Sequence, residues 1–197
     1  MLVAVIAVNH RQVTALRDRF IPKRWGVVEE GKIYRSGQLS RHLVRQVLET
    51  NQIQTVVDLT WDDPNDANHV AELATIADLG IERKLCPLQS DGTGDVHIYA
   101  QAVAEVARAA RAGKPVLVHC AAGTQRTGGV VAFYRLLVEE KSAAFTFAEM
   151  RKYNYDPRRS PKLLQYVNEH IAEVAEDLVR EGIIDHIPDP PPLLSAD

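Results

Sequence analysis

The sequence of 197 residues has only two cysteines, Cys86 and Cys120, and no cluster of cysteine and histidine spaced like metal ligands. Two cysteines cannot form a disulfide framework, which excludes the small disulfide-rich scaffolds of secreted proteins. Without ligand spacing a structural zinc site is not expected, and we predict neither a metal nor an organic cofactor. Free thiols suit a reducing compartment, so we expect a cytoplasmic protein.

Strong net charge and long apolar runs are also missing. The formal net charge is −3, and so weak a negative field attracts neither nucleic acid nor acidic membrane surfaces. We therefore expect no nucleic-acid partner and no membrane association. The apolar run of residues 1–8 is too short to span a bilayer and has no leading positive charge. A buried strand or helical turn is the favoured interpretation, and the remnant of a longer N-terminal anchor is the alternative.

What is present suits one globular domain with a hydrophobic core. The hydrophobic content is 46% and the charged content 25%, which are ordinary values for a folded protein of this size. We predict a basic lead-in segment over residues 1–25 that packs on the domain, a domain over 26–186, and a flexible proline-rich tail over 187–197. The sequence does not indicate an oligomeric state.

Strand-like runs alternate with helical patterns along the domain. The predicted strands lie at 27–35, as a hairpin about a Glu-Gly turn, and at 54–59, 81–88 and 115–119; the predicted helices lie at 40–50, 67–79, 97–111, 130–138, 147–153 and from Pro161 onward. This alternation predicts an α/β fold with a central, mostly parallel sheet of about four to five strands flanked by helices. Sites in such sheets open at the C-terminal strand ends, where Cys120 and Asp91 both fall.

The most informative segment is His-Cys-Ala-Ala-Gly-Thr-Gln-Arg-Thr-Gly-Gly at residues 119–129, between a predicted strand and a predicted helix. A helix N-terminus has free backbone N–H groups and partial positive charge, which favour a bound anion. A thiol there should ionise well below its free pKa of about 8.5. Arg126 adds a fixed charge and a planar fork that suits two phosphate oxygens. A thiolate beside a phosphate site can transfer phosphoryl groups through a phosphocysteine.

This segment resembles the His-Cys-x5-Arg-Ser/Thr signature of the cysteine-dependent protein tyrosine phosphatases, and the short chain is most similar to the dual-specificity branch. Residues 33–38 (Ile-Tyr-Arg-Ser-Gly-Gln) resemble the Tyr-Arg-Ser-Gly-Gln segment of some small bacterial, plant and fungal members. Residues 87–92 (Pro-Leu-Gln-Ser-Asp-Gly) fall where the family has its acid loop. The resemblance spans roughly residues 20–170 and implies a dual-specificity phosphatase-like fold that hydrolyses phosphoric monoesters.

The resemblance assigns Cys120 as the nucleophile, Arg126 as the phosphate-binding cation and Thr127 as a hydrogen-bond donor to the sulfur. The alternatives are a buried inert cysteine and a plain hydroxyl at a helix start. Phosphate oxygens would be bound by the backbone N–H groups of the intervening loop, which comprises Ala121, Ala122, Gly123, Thr124 and Gln125. His119 would orient the loop, and a satisfied core histidine is an equal alternative.

Asp91 is the candidate general acid, and Asp95 is the second candidate. Gly92 and Gly94 would allow the loop to move over bound phosphate, and the same carboxylate would then activate the hydrolytic water. A solvated turn is the alternative. The loop also lacks the Trp-Pro-Asp of larger tyrosine phosphatases, so the choice of acid stays open.

Four further features have open interpretations. Asp58 could hold the phosphate-binding loop or cap a neighbour, and Arg35 could reach the back of that loop or form a surface salt bridge. The acidic run at 61–66 would repel highly anionic substrates if it bordered the site. Cys86 could pair with Cys120 to protect it from oxidation, and a core cysteine is the default.

The predicted substrate is a phosphorylated protein or a small phosphoester. Inositol phosphate or phosphoinositide hydrolysis is the alternative on the same scaffold, although the loop lacks the lysines of the phosphoinositide phosphatases it resembles. Two other classes stay open: a rhodanese-type sulfurtransferase, and a phosphate-binding pseudoenzyme that serves as an interaction module.

Overall fold

The computed structural model describes residues 17–195, so the apolar run of residues 1–8 lies outside the described part. The strands are β1 (Gly26–Glu29), β2 (Ile33–Gly37), β3 (Thr55–Asp58), β4 (Glu82–Leu85) and β5 (Val116–Cys120). The helices are α1 (Val44–Thr50), α2 (Ala67–Leu79), α3 (Val96–Arg111), α4 (Gln125–Phe133), α5 (Ala143–Lys152) and α6 (Pro161–Arg180), and a π-helical turn (Tyr134–Val138) extends α4.

The five strands form one sheet in the order β1-β2-β5-β3-β4. β1 is antiparallel to β2, and the remaining neighbours are parallel. β5 is therefore the central strand, and the parallel strands bring their C-terminal ends to one edge. There Gly37 lies opposite Cys120, and Asp58 lies opposite His119. The predicted α/β fold, with a mostly parallel sheet of about four to five strands flanked by helices, is confirmed.

Helices cover both faces of the sheet, and β5 contributes alternate side chains to the two cores. Val118 and Cys120 belong to the larger core, which α3, α4 and α6 complete. Leu117 belongs to the smaller core on the opposite face, beneath α1 and α2. Because side chains alternate along a strand, His119 points toward the face that α2 covers, whereas Cys120 points toward α4.

Several element boundaries differ from the predictions. The helix predicted at 40–50 begins at Val44 and has no side-chain cap from Ser40. The strand predicted at 81–88 ends at Leu85. The helix predicted at 147–153 begins earlier, at Ala143, because the Ser142 side chain caps it by accepting a hydrogen bond from the Phe145 N–H. Hydrophobic periodicity does not register such caps and turns.

The described ends of the chain are attached to the domain. In the lead-in segment, Trp25 stacks on Tyr34 with ring centroids 5.3 Å apart. In the proline-rich tail, Leu194 is buried, and its backbone exchanges two hydrogen bonds with the Asn168 side chain at 2.8 and 2.9 Å. The tail expected to be flexible is thus anchored to α6 at this point. Within residues 17–195 no helix combines the length and apolar character that crossing a membrane requires.

Candidate active site

The loop between β5 and α4 connects the central strand to a buried helix. Cys120 ends β5 with a side chain only 1% exposed, whereas the next two residues, Ala121 and Ala122, are exposed. The sulfur therefore lies at the base of an opening with small side chains at its rim. This is where the sequence predicted a nucleophile.

The carbonyl groups of the loop point away from this opening because donors outside the loop bind them. Ala121 O accepts from Gln38 N at 3.3 Å, and Ala122 O accepts from Arg24 Nη1 at 2.7 Å. Gly123 O accepts from Arg35 Nη2 at 2.9 Å. In a trans peptide the N–H points opposite to the carbonyl, so three successive N–H groups are directed to the inside. One of them, from Gly123, donates to Cys120 Sγ at 3.2 Å.

Gly123 is required at its position for two reasons. Its φ of +77° lies in the left-handed region that side chains disfavour. A Cβ there would also lie 2.5 Å from the Gly37 backbone nitrogen and 2.7 Å from the Ser36 carbonyl carbon. The loop thus turns against β2 with no room for a side chain.

The environment of the Cys120 sulfur favours the thiolate. Burial alone raises the pKa of the Cys120 thiol, but hydrogen bonds from the Thr127 hydroxyl and N–H, the charge of Arg126 and the Gly123 N–H together hold that pKa below its ordinary value. The Thr127 hydroxyl also lies 3.5 Å from Ser36 O, a length at the limit of hydrogen bonding.

Arg126 lies beside the loop, almost buried, and its Nη1 donates to Leu59 O at 3.1 Å. This bond fixes the Nη1 group of the guanidinium against Leu59, the residue that follows β3. Arg126 and Ala121 line a cavity of about 180 Å³ whose other walls are formed by Gln38, Thr60, Trp61, Asp63, Asp66 and His69. The cavity extends from the loop toward the acidic run at 61–66, which therefore does border the candidate site.

Arg35 supports the loop from behind. Its side chain is fully buried, and besides its bond to Gly123 O the guanidinium stacks on the Tyr153 ring, 3.9 Å from the centroid. Burial lowers the pKa of Arg35 to about 10, so the group remains protonated at neutral pH. Of the two interpretations left open for Arg35, the structure supports the one at the back of the loop.

His119 points away from Cys120 into a cluster of buried charges. Its Nε2 lies 3.0 Å from Glu72 Oε1, in an ion pair outside ideal hydrogen-bond geometry, and 3.8 Å from Asp58 Oδ1. Although burial lowers the pKa of His119, Glu72 and Asp58 raise it to about 9. These carboxylates therefore favour the charged imidazolium, which neither sequence interpretation anticipated.

Asp58 caps its own strand end. It accepts hydrogen bonds from Thr60 N and Oγ1 at 2.9 and 2.7 Å and from Arg83 Nη2 at 2.6 Å. Burial raises the pKa of the Asp58 carboxyl. The opposing effects of His119, Thr60 and Arg83 are larger together, so the net pKa is lowered and the carboxyl is ionised. It shapes the segment that leads to Leu59, whose carbonyl binds Arg126.

Asp91 lies in the loop between β4 and α3, and other groups bind its carboxylate. Oδ1 accepts from Thr93 Oγ1 at 2.7 Å and Thr93 N at 3.1 Å, and Oδ2 accepts from Lys162 Nζ at 3.0 Å. These bonds, that from the Thr93 hydroxyl above all, lower the pKa of Asp91 to about 2. In this arrangement Asp91 is ionised and is not ready to donate a proton.

The Asp91 loop nevertheless lies against the phosphate-binding loop. A Cβ built on Gly92 would lie 3.1 Å from Gln125 Cβ, and Gly92 O accepts from the buried Tyr99 hydroxyl at 2.6 Å. Asp95 has a different task, because it caps α3 by accepting from His97 N at 2.8 Å. The position of Asp91 thus fits an acid loop better than that of Asp95.

The side chains of the remaining loop residues point outward. Thr124 Oγ1 donates to Tyr153 O at 3.3 Å, and Gln125 Nε2 donates to Ser160 Oγ at 3.2 Å. These residues therefore face a ligand with backbone groups rather than side chains, as expected for an anion nest.

Both cysteines are free and buried. Cys86 lies just after β4 in the larger core, where burial raises the pKa of its thiol to about 11. It is thus an inert core cysteine in this structure. No group of three His, Cys, Asp or Glu residues within 17–195 is arranged to hold a metal ion.

Sequence reasoning missed three supporting residues. Arg24, Glu72 and Arg83 lie far from the signature along the chain, and no local pattern marks Arg24 or Arg83. One signal was available for Glu72: it falls on the buried side of a helix, between His69 and Ile76, where an amphipathic pattern should place apolar residues.

We predict that Gly123→Ala disrupts the loop. The left-handed φ should cost about 1–2 kcal/mol, and the clash with the Gly37 backbone should add to this. Thermal unfolding should show a lower midpoint, and titration with vanadate should show at least tenfold weaker binding. The matched control is Gly128→Ala, where a Cβ meets nothing within 4 Å. Equal behaviour of the two variants would contradict this account of the loop.

The architecture has counterparts among solved structures. TpbA of P. aeruginosa has a TM-score of 0.64 and 22% identity, covering 80% of this chain and 91% of TpbA. The PP-IP phosphatase SIW14 of S. cerevisiae has a TM-score of 0.63 and 19% identity, covering 82% and 94%. A putative phosphatase of Shewanella putrefaciens has a TM-score of 0.62 and 20% identity, covering 86% and 98%. At sequence identities this low, the similarity to these structures shows the fold alone.

The sequence itself decides the family. No curated protein matches it, but residues 36–172 match the dual specificity phosphatase catalytic domain, which accounts for more than half of the chain. This match supports the phosphatase interpretation over the sulfurtransferase alternative. The chain belongs to the dual specificity phosphatases and is a cysteine-dependent phosphatase that hydrolyses phosphoric monoesters.

Proposed function

We propose that Cys120 is the nucleophile and that hydrolysis proceeds through a phosphocysteine. The observation that carries this proposal is the inward set of loop N–H groups around a sulfur whose pKa is lowered despite its burial. The thiolate attacks phosphorus, an S–P bond forms and the ester P–O bond breaks. Arg126 and the N–H groups bind the equatorial oxygens, where charge is spread in the transition state.

In the second step water attacks the phosphocysteine. The S–P bond breaks, inorganic phosphate leaves and Cys120 returns as the thiolate. The hydrogen bond from Thr127 to the sulfur stabilises the departing thiolate. This chemistry needs a reduced thiol, which supports our proposal of a reducing, cytoplasmic compartment.

Asp91 is proposed as the general acid of the first step and as the base of the second. To donate a proton it must leave Thr93 and Lys162, which lower the pKa of its carboxyl to about 2. A bound phosphate dianion near the carboxylate raises that pKa by like-charge repulsion. Gly92 and Gly94, with φ of +88° and +156°, are the backbone positions at which such a loop movement can occur.

We predict that Cys120→Ser abolishes turnover of p-nitrophenyl phosphate while vanadate still binds. The hydroxyl of serine has no accessible anion at neutral pH, whereas the N–H groups and Arg126 remain. Rapid-quench mass spectrometry of the wild type should trap a phosphate adduct on Cys120. Turnover by the variant, or an adduct on another residue, would exclude the covalent step.

The acid assignment predicts opposite effects at two positions. Asp91→Asn should lower kcat for phenyl phosphate, a poor leaving group, by about 10²–10⁴-fold, and lower it much less for p-nitrophenyl phosphate. Lys162→Met removes one group that lowers the pKa of Asp91, so more carboxylic acid is present at a given pH. It should raise kcat for phenyl phosphate by about 1.5- to 5-fold, as expected for an exposed ion pair, and move the alkaline limb upward.

Two variants serve as controls for this prediction. Asp95→Asn should keep the leaving-group dependence of the wild type, and Lys32→Met removes a comparable exposed ion pair, to Glu29, far from the site. If Asp95→Asn shows the leaving-group effect instead, Asp95 is the acid.

The mouth of the site favours a substrate with one phosphate on an aromatic group. The loop residues 121–125 contain no lysine, and the carboxylates Asp63 and Asp66 line the cavity beside Arg126. Trp61 lies at the same mouth with 61% of its surface exposed, and its ring can stack on an aryl leaving group. Phosphotyrosine has this chemistry, and TpbA was solved in complex with pTyr.

A second cavity favours another substrate class, inositol phosphates. It measures about 410 Å³, shares Gln38 with the first cavity, and is lined by cationic side chains that include Arg19, Lys23 and Arg41. Only Lys23 among these three has an ion pair, with Asp18 at 3.2 Å, in the described residues. Further phosphates of a polyphosphorylated substrate could bind there, and SIW14 is a PP-IP phosphatase.

A substrate panel with two variants distinguishes these classes. For an aryl monoester, Trp61→Ala should lower kcat/KM for a phosphotyrosine peptide about fivefold, and Arg41→Ala should change it less than twofold. For a polyphosphorylated substrate, Arg41→Ala should lower kcat/KM for an inositol polyphosphate and Trp61→Ala should not. The substrate class is the one for which the wild type has the larger kcat/KM and for which the corresponding variant, Trp61→Ala or Arg41→Ala, shows the expected loss.

A further inference from the structure

We propose that Glu72 is a positioning residue for the nucleophile: its buried carboxylate keeps His119 as an imidazolium beneath the phosphate-binding loop, and that positive charge stabilises the Cys120 thiolate. The inference rests on the proposed role of Cys120. It adds a residue of α2 that lies outside the signature and touches neither the substrate nor the reacting atoms.

The geometry isolates Glu72 and His119 as a pair. Both residues are 1% exposed, and their charged groups lie 3.0 Å apart. Among the described residues, His119 is the only cationic group within 4.0 Å of the Glu72 carboxylate. The pair spans the two layers of the fold, because Glu72 belongs to α2 and His119 to the central strand.

A structural role does not account for Glu72. Burying a carboxylate is costly unless hydrogen bonds compensate for lost hydration, yet neither Glu72 oxygen has a hydrogen-bond partner among the described residues. An apolar side chain would fill this position in the helix–sheet interface with less cost. What Glu72 contributes is its negative charge, and within residues 17–195 the only cation close enough to respond to it is His119.

The charge of His119 is transmitted to the sulfur over one residue. The Cys120 thiolate is itself one of the groups that raise the pKa of His119. Such an interaction is reciprocal, so the imidazolium favours the thiolate by an equal amount. His119 lies between Glu72 and Cys120, because neighbouring side chains of β5 point to opposite faces. The proposal therefore requires the nearer positive charge of His119 to outweigh the negative charge of Glu72 at the sulfur.

The charged groups around this pair leave Glu72 as the main partner of His119. From β3, Asp58 faces the imidazole, but at 3.8 Å, and it is already bound by Arg83 of β4 and by Thr60. On the opposite side, Arg126 favours the thiolate directly.

The test is Glu72→Gln, which keeps the shape and removes the charge. His119 should then lose its proton near neutral pH, and the pH midpoint for alkylation of Cys120 by iodoacetamide should rise by about 0.5–1 unit. Below that midpoint, alkylation should slow by about three- to tenfold, since one unit is a tenfold change. Peptide mapping by mass spectrometry separates Cys120 from the inert Cys86. An unchanged midpoint overturns the proposal.

The matched control is Glu105→Gln. Glu105 is a partly buried carboxylate of α3 that pairs with Lys84 and Arg108, and no contact links it to His119. Its removal should leave the midpoint unchanged; a shift equal to that of Glu72→Gln would show a general charge effect and overturn the proposal. In a His119→Gln background, Glu72→Gln should have no further effect, because Glu72 acts only through His119. A full additional shift would refute that route.

Two measurements test the role of Glu72 independently of protein stability and of the covalent mechanism. If Glu72→Gln does not fold, NMR titration of the wild type still tests the pair: His119 should stay protonated above pH 8, and titration near 6.5 overturns the proposal. Alkylation reports the thiolate without turnover. A shifted midpoint with no phosphocysteine in the wild type would therefore reject the covalent mechanism while keeping the role of Glu72.

Discussion

The site depends on the orientation of three successive peptide groups after the central strand. Donors from three segments of the chain, namely Arg24, Arg35 and the Gln38 backbone, bind the loop carbonyls from outside. The opposite ends of these peptides then face inward, where one of them already binds Cys120 Sγ. The proposed phosphate-binding surface is thus made of backbone groups, and side chains and backbone outside the loop set its shape. Gly123 is the position at which β2 and the loop come too close for any side chain.

Charge around the loop is arranged in layers. Arg126 lies beside the opening, Arg35 behind the loop and His119 beneath it, and all three are buried. Each needs a partner because an isolated charge in the interior is costly. Arg126 and Arg35 use backbone carbonyls and an aromatic ring, whereas His119 uses carboxylates. The thiolate thus forms among fixed positive charges, while the mouth carries Asp63, Asp66 and Trp61. Under the proposed function, this arrangement binds one phosphate and disfavours further negative charge on the side of these carboxylates.

Local patterns predicted the elements that have strong local signals. The stop of α2 at Gly80 follows from a left-handed φ of +65°, and the start of α6 at Pro161 follows from the fixed φ of proline. Boundaries set by tertiary contacts were less accurate: α1 starts four residues later than expected and β4 ends three earlier. Asp91 was found by its place after a strand, but its bond to Lys162 depends on α6, which lies about 70 residues further along the chain.

The sequence by itself determined the family and indicated the candidate nucleophile and anion site, because cysteine, arginine and the glycine between them lie within one short loop whose chemistry is local. Only the tertiary structure decided which groups adjust that chemistry. The pairing of His119 with Glu72, the support of the loop by Arg35 and the ion pair on Asp91 join residues that are distant in sequence. Whether a buried histidine is charged depends on which carboxylates the fold brings within a few ångströms, and no pattern along the chain contains that distance.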